Sequence, residues 1–349
     1  MGAIWYATRE DVKNALDAQD TTRSNAQIDR ALGSATFAID GALHHHFYPW
    51  TGTKYVDWPN YQYARPWRAW LDGDNELITL TSMTSGGTAI DVATQVLLEP
   101  QASGPPFTSV EINIGTSASF HGASSYQRSI ALTGVFGYGA DEDVAGTLAA
   151  AVSTTTATTI TVGDSSLIGT GQILRIESER MIVTARAMLT TAQTLQTPVG
   201  ASTAEVTMAV TNGALYAIGE IILLDAERMR ILDIAGNNLI VKRAWDGTVL
   251  ATHTGSTIYA PRLLTVTRGV LGTTAATHLI STAIAKHRPP ELISTLAVGL
   301  AIDTEQQEMS GYARFVAQGA RGEQRGVGLN SVWDQAYNVF GKQARTEAI

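Results

Sequence analysis

The sequence predicts an α+β fold in which helices from both ends of the chain form a helical core that carries β-rich insertions. Apolar residues recur at helical spacing near both ends, whereas the middle is rich in β-branched and aromatic residues and contains two duplicated phrases. The predicted boundaries are a helical part at 1–47, a β domain at 48–145, a nested duplicated β insertion at 146–286 and a helical part at 287–349.

The N-terminal helices are predicted from their start signals and their apolar spacing. Thr8, followed three residues later by Asp11, resembles a capping box. A second helix is expected to begin near Ser24 and to end before Pro49. Its apolar face would be formed by Ile28, Leu32, Ala35, Ile39 and Leu43.

After the second helix the pattern changes to short strands. Candidate strands lie at 76–82, 94–99, 109–114 and 129–136, separated by glycine and proline turn signals. Aromatic residues cluster ahead of them, at Trp50, Trp58, Tyr61, Tyr63, Trp67 and Trp70. Exposed aromatic rings can bind sugars, so this cluster supports an alternative function as a tail or baseplate carbohydrate-binding module.

Two duplicated phrases are the most informative feature of the chain. Residues 171–181 recur as 219–229, and residues 241–253 recur as 266–278. Both copies of the first phrase therefore precede both copies of the second phrase. This order predicts a small inner β unit, at about 193–260, nested inside a sister unit. Duplicated β modules usually build a scaffold surface rather than a catalytic cleft.

Each copy carries an acid, an arginine and a histidine at equivalent places. These are Glu179, Arg268 and His278 in one copy, and Glu227, Arg243 and His253 in the other. General acid–base catalysis needs two carboxylates held apart across a substrate, whereas each copy here has its own acid. We therefore predict cross-strand ion pairs, and histidines whose hydrogen bonds tie the Gly-Thr turns.

Composition and motifs argue against several classes of protein. The chain has 349 residues, a net charge of −8, only 16% charged residues and no cysteine. A clustered basic face for duplex DNA and thiolate metal sites are therefore not expected. His44, His45 and His46 point in different directions from a helix and are not expected to share one metal ion. No catalytic residue, cofactor or metal site is predicted, and an unrecognised hydrolase is kept only as a further alternative.

The C-terminal part supplies the candidate partner-binding residues. A helix is predicted from Pro290 to about Ser310, followed by a Gly/Arg loop at 319–328 and a last helix capped by Ser331. The loop is interpreted either as a solvated linker or as a segment that becomes ordered on a partner. The aromatic residues of the last helix are interpreted either as core or as an anchor stripe. The candidate residues are Arg321, Arg325, Trp333, Tyr337 and Phe340.

In this order, the features resemble the head-to-tail connector (adaptor) proteins of long-tailed bacteriophages, of the type found in phages of actinobacteria. The resemblance rests on the segments 65–71, 133–139, 267–273 and 311–314, placed between helical ends. The Arg-Gly-x-x-Gly-Thr phrase alone decorates several phage structural proteins, so the ordered combination carries more weight than any one segment.

The resemblance implies a non-enzymatic virion protein at the neck of the particle, assembled in the host cytoplasm. Such adaptors form homo-oligomeric, usually dodecameric, rings beneath the portal and extend the DNA channel towards a stopper or tail-terminator protein. Their C-terminal segment commonly inserts into the portal, which points to residues 319–340. The duplicated insertion departs from the minimal helical adaptor and is expected to meet capsid or neighbouring subunits. Genomic DNA would pass through the lumen without sequence-specific binding, because the acidic charge repels it, and no membrane is involved.

Overall fold

The chain folds mainly as β structure. The computed structural model describes residues 3–16, 24–58, 65–71, 76–122, 125–309 and 325–341. Strands account for 37% and helices for 22%, and the largest element is a ten-stranded antiparallel sheet. The expectation of an α+β protein built on a helical adaptor core is therefore wrong. The ends of the chain give the clearer sequence signal, but the strands of the ten-stranded sheet contain more residues than the helices at the two ends.

Most of the helices lie near the two ends of the chain, and a long β region lies between them. In chain order they are α1 (Arg9–Ala15), α2 (Asn25–Leu43), β1 (Trp50–Val56), β2 (Arg68–Trp70), β3 (Leu77–Ser85), β4 (Thr88–Ile90), α3 (Val92–Gln95), β5 (Val96–Glu99), β6 (Ser109–Ile112), β7 (Ile130–Phe136), β8 (Glu142–Thr147), β9 (Thr159–Thr161), β10 (Ile173–Ile176), β11 (Glu179–Thr194), β12 (Thr207–Ala209), β13 (Ile221–Leu224), β14 (Glu227–Ala235), β15 (Asn238–Lys242), β16 (Thr257–Thr267), β17 (Ala283–His287), α4 (Glu291–Met309) and α5 (Arg325–Phe340).

Helices from both chain ends pack around one small apolar cluster. The predicted capping box starts α1, because the Thr8 hydroxyl and the Asp11 carboxylate each accept from the other residue's N–H. Helix α2 ends at Leu43 and is capped by His44, whose backbone is left-handed. Helix α2 packs on α4, and α4 packs on α5. The fully buried members of the cluster include Val12, Ile28, Leu32, Ile39, Ile293, Leu296 and Ala336.

The last helix begins six residues earlier than predicted, at Arg325 rather than Ser331. Gly326 and Gly328 suggested a loop, but Leu329 packs against the apolar cluster of the helices. A Cβ on Gly299 of α4 would meet the Leu329 side chain, so a glycine there lets the two helices approach closely. Tertiary packing thus overrides the low helix propensity of glycine.

The middle region consists of two small antiparallel sheets. One has the order β1-β7-β3-β4 and the other β2-β6-β5. They enclose a common core that includes Leu77, Val110, Leu132 and Phe136. All four strands predicted between 76 and 136 are present, with ends shifted by up to three residues.

The ten-stranded sheet contains both duplicated units. Its order is β12-β15-β14-β13-β16-β11-β10-β17-β8, with β9 also paired to β16. The long strands β11 and β16 run through both units. Their outer ends pair Ile182 with Thr267, their inner ends pair Thr194 with Thr257, and the register is irregular in between. The predicted inner hairpin is formed by β14 and β15.

Each duplicated unit has its own apolar core. The outer unit buries Ile160, Leu174, Met181, Val183 and Leu264 among others. The inner unit buries Met208, Ile222, Met229, Ile231 and Val241 among others. Two cores along one continuous sheet are the structural counterpart of the nested duplication.

Candidate functional site

A buried carboxylate organises the end of the outer unit. Glu179 is fully buried and accepts from the Arg268 guanidinium at 2.9 and 2.5 Å. Its oxygens also accept from the backbone N–H groups of Gly269 and Ala276, at 3.1 and 3.0 Å. His278 Nε2 lies 2.8 Å from the same carboxylate, while its Nδ1 lies 2.8 Å from Glu177.

The inner unit repeats this cluster almost atom for atom. Glu227 is fully buried and accepts from Arg243 at 2.8 Å through each oxygen. The N–H groups of Ala244 and Ala251 donate to it at 2.9 and 3.0 Å. His253 bridges Glu227, at 2.9 Å, and Asp225, at 2.7 Å. The predicted ion pairs are therefore confirmed in both copies. The histidine hydrogen bonds also recur, but the imidazoles bond to carboxylates and not to the Gly-Thr turns as predicted.

The hydrogen bonds hold both carboxylates in the charged state. Burial on its own would raise the pKa of Glu227, but the donors from Arg243, His253 and the two N–H groups outweigh it and lower the pKa to about 2. The pKa of Glu179 is also lowered, against the effect of burial, by the corresponding donors around Arg268. These fully occupied carboxylates are suited to fixing a loop rather than to transferring protons.

What the clusters fix is a turn of unusual backbone conformation. Leu271 and Gly272 of the outer turn have φ of 54° and 79°, and their inner equivalents Asp246 and Gly247 have φ of 59° and 68°. Non-glycine residues rarely adopt this left-handed region. The carboxylate, arginine and histidine of each unit thus stabilise one strained turn, which protrudes towards the rest of the molecule.

The outer turn packs on the middle region. Thr51 of β1 donates its N–H to the Leu271 carbonyl at 2.8 Å, and Arg180 donates to the Thr51 hydroxyl at 2.7 Å. A Cβ on Gly272 would overlap the Thr51 carbonyl, so only glycine fits this approach. Val270 and Leu271 are buried in the same contact.

The inner turn packs on helix α1. The ammonium group of Lys13 lies 2.7 Å from Asp246, and both side chains are about nine-tenths buried. Arg228 donates to the other Asp246 oxygen at 2.6 Å. Arg230 donates to Asn14 at 2.8 Å and lies over the Trp245 ring, with 5.2 Å to the ring centroid. The same turn is thus used twice, on an apolar surface in one copy and a polar surface in the other.

The predicted partner-binding residues do not form one exposed surface. Arg321 lies outside the described residues, and so does the side chain of Arg325 at the start of α5. Trp333 and Phe340 pack on the helical cluster, and Phe340 makes edge-to-face contacts with Phe47 and Tyr138. Tyr337, between Trp333 and Phe340 on the same helix face, is half exposed.

The aromatic cluster at 50–70 is used mainly inside the protein. Trp50 packs on Phe136 with ring centroids 6.0 Å apart, and Trp58 packs on Phe120 at 4.9 Å. Tyr61 and Tyr63 lie outside the described residues. Trp50, Trp58 and Trp67 are half-buried and pack against the core of the middle region, and Arg68 lies over the Trp70 ring.

The three consecutive histidines have different partners. His44 caps α2, His45 Nδ1 lies 2.8 Å from Glu76, and His46 Nδ1 lies 3.1 Å from Asp40. Among the described residues, no group of three or more acidic, cysteine or histidine side chains is arranged to hold a metal ion.

Sequence reasoning missed the residues through which the inner turn meets α1. Lys13 and Asn14 carry no motif, and their partners lie more than 200 residues away. A signal was nevertheless present in the duplication. Asp246 and Arg230 occupy the positions at which the sister copy has the apolar residues Leu271 and Ile182. This change from apolar to charged residues indicates that the inner turn lies in a more polar environment.

Two further findings concern the chain as a whole. None of the helices within the described ranges has the length and apolarity needed to span a membrane. A scan against protein-family models finds no match, and searches of curated proteins and of solved structures find no relative either.

Proposed function

We propose that the protein is a structural component of a tailed-phage virion, which forms a ring at the neck and links the portal to the stopper or tail. The proposal keeps the function that the sequence resemblance implies but not the helical core, since the subunit is mainly β. In this proposal the rigid β body supplies subunit contacts and the C-terminal helix meets the portal.

The observation that carries the proposal is the way α5 is anchored. Phe340 and Trp333 fix one face of the helix to the cluster formed by both chain ends. Next to them on the same face, Tyr337 remains 50% exposed, and Val339, on another side of the helix, is 65% exposed. A large aromatic residue on a rigid element is a favourable anchor for a protein partner, because little conformational entropy is lost on binding.

The charge of the chain is consistent with a channel wall. The net charge of −8 is multiplied by the number of subunits in a ring. A like-charged wall repels DNA and so favours its passage over its retention.

Negative-stain imaging of the full chain, alone and mixed with portal protein, tests the proposal. We expect the images to show closed rings, at least in the mixture with portal protein. In intact particles, we expect a labelled antibody against the chain to bind at the neck. Tyr337→Glu is expected to weaken portal binding at least tenfold. Asn338→Glu, which adds the same charge at the adjacent exposed position, should have little effect. Particles labelled elsewhere than at the neck would refute the proposal.

A further inference from the structure

The duplicated units each present the same face to the rest of the protein, and in the outer unit this face is filled. We call it the docking face. In the outer unit it consists of Gly171, Ile173, Ile182, Val270 and Leu271. An extended N-terminal segment covers it, with the Trp5 N–H donating to the Gly171 carbonyl at 3.0 Å. The Trp5 ring lies directly on Gly171, where any Cβ would overlap it, and Ile4, Tyr48 and Trp50 complete the cover.

The equivalent face of the inner unit is not filled in this way. It consists of Gly219, Ile221, Arg230, Trp245 and Asp246. Gly219 has the same backbone conformation as Gly171, with φ of 89° and 84°. Within the described residues, no atom lies within 4 Å of a Cβ built on Gly219. The place that Trp5 occupies in the outer unit is therefore open in the inner unit.

This open face borders a cleft of about 280 Å³ that is lined by α1 and by both duplicated units. Apolar lining comes from Ile221, Met188 and Trp245, next to the exposed backbone of Gly219. The cleft is large enough for an aromatic side chain and part of a peptide backbone. Its apolar part matches the Gly171 and Ile173 surface that holds Trp5.

The polar part of the cleft favours an anion. Its lining contains three acidic side chains, Glu10, Asp11 and Asp246, and six cationic ones, Arg9, Lys13, Arg186, Arg228, Arg230 and Lys286. Several of these are paired: Lys13 and Arg228 bind Asp246, and Arg186 binds Glu10. Arg230 instead donates to the neutral side chain of Asn14, in a contact exposed to solvent, and forms no ion pair with a described residue. A carboxylate at Arg230 would therefore gain a charge-assisted hydrogen bond.

We propose that this cleft binds an extended segment of a partner protein that carries an aromatic residue followed by an acidic one. The aromatic ring would lie over Gly219 and Ile221, as Trp5 lies over Gly171 and Ile173. The acidic side chain would reach Arg230, which replaces the apolar Ile182 of the filled copy. This site does not depend on ring formation or on portal binding.

Calorimetric titration of the full chain with a blocked Gly-Ile-Trp-Asp-Gly peptide at low salt tests the proposal. We expect saturable one-to-one binding that is weakened at least tenfold when the peptide aspartate is replaced by lysine, and equally when its tryptophan is replaced by alanine. Arg230→Glu in the protein should abolish binding of the aspartate peptide. Arg65→Glu makes the same charge change at an exposed site of the middle region and should leave binding unchanged.

Two results would overturn the proposal. One is the absence of saturable binding of the peptide to the folded wild-type chain. The other is equal affinity of the wild-type and Arg230→Glu proteins, which would place the peptide elsewhere. Arg230 lies at the surface, so its variant is expected to fold, and the circular dichroism spectrum verifies this. Neither result bears on ring assembly, which is measured separately by imaging.

Discussion

At the scale of single residues, the protein depends on two carboxylates that are buried but fully hydrogen-bonded. Glu179 and Glu227 each accept from an arginine, a histidine and two backbone N–H groups. Such a group is costly to disturb, because removing one partner leaves the others buried without compensation. The stability of each turn therefore depends on the charge of a single carboxylate, Glu179 in the outer unit and Glu227 in the inner unit.

The inner cluster makes stability dependent on acid. We expect Glu227→Gln to lower the free energy of unfolding at neutral pH by about 3–5 kcal/mol, since it leaves Arg243 buried without its counter-charge. The folded-state pKa of Glu227 is about 2, below its ordinary value of 4.5. Its stabilisation is therefore complete above pH 4.5 and is lost as the pH falls towards 2. The difference between wild type and variant should shrink over the same range.

Urea unfolding followed by tryptophan fluorescence at several pH values measures this effect. Asp334→Asn removes an exposed carboxylate of α5 and serves as the control, with an expected change within about 0.5 kcal/mol. A pH-independent difference between wild type and Glu227→Gln would contradict the assignment of the effect to this carboxylate.

The roles of these residues could be predicted from the sequence because the duplication repeats them. A polar residue that recurs with its partners at the same offsets indicates a repeated structural bond. The contacts of Lys13 and Arg230 could not be predicted in this way, since each occurs once and joins segments far apart in the chain.

At the scale of elements, the turn after the arginine is the unit that connects the domains. In the outer copy Gly272 brings the turn against β1 so closely that no side chain fits. In the inner copy the same backbone carries Asp246 towards α1. A conserved backbone shape with changed side chains thus allows one motif to pack on two different surfaces.

Comparing Gly272→Ala with a control glycine variant separates the cost of backbone strain from the cost of disturbing the contact between the turn and β1. Alanine at a left-handed position costs about 1–2 kcal/mol, and at Gly272 the added methyl group must also push β1 away. Gly255→Ala provides the matched control, because its φ is 63° and no atom lies within 4 Å of its Cβ position. We expect the Gly272 variant to lower the thermal midpoint clearly more than the Gly255 variant. Equal shifts would show that the contact with Thr51 adds nothing to stability.

Element boundaries were predictable where a local signal sets them and not where a distant contact does. The capping pair Thr8 and Asp11 predicted the start of α1 correctly from the sequence. The start of α5 depends on Leu329 packing across to α4, which overrides the local signal of Gly326 and Gly328.

At the scale of the whole molecule, the helical cluster and the β body are joined by two different kinds of interface. The outer unit meets the N-terminal segment and β1 through apolar side chains and through hydrogen bonds that involve no ion pair, such as the one from the Trp5 N–H to the Gly171 carbonyl. The inner unit meets α1 through ion pairs and hydrogen bonds around Lys13 and Arg230. The sequence indicated helical ends and β structure between them, but it could not show that the two duplicated units share one sheet. That depends on β11 and β16 running through both units.

Lys13→Met tests how much the polar interface contributes to holding α1. We expect the amide hydrogens of α1 to exchange faster, measured by mass spectrometry, because the buried ion pair with Asp246 is lost while Arg228 still neutralises that carboxylate. The stability loss should be about 1.5–3 kcal/mol, the range for a charged hydrogen bond. Arg65→Met, which removes an exposed cation elsewhere, should leave this exchange unchanged. Unaltered protection of α1 in Lys13→Met would mean that its apolar contacts alone fix it.

The chain enters and leaves the inner unit through neighbouring strands. Leu189 of β11 pairs with Ala260 of β16 in antiparallel register, and paired residues in such strands lie only about 4.5–5.5 Å apart. A tight turn joining these two positions would restore a plain hairpin at the rim of the outer unit, whose core residues all lie outside the removed segment. The inner unit is therefore an insertion within one hairpin of the outer unit, but the two are not independent. The buried carboxylate of Glu220 in the inner unit accepts from Ser165 and Arg262 of the outer unit, so removal of the inner unit would leave these two buried donors without their acceptor.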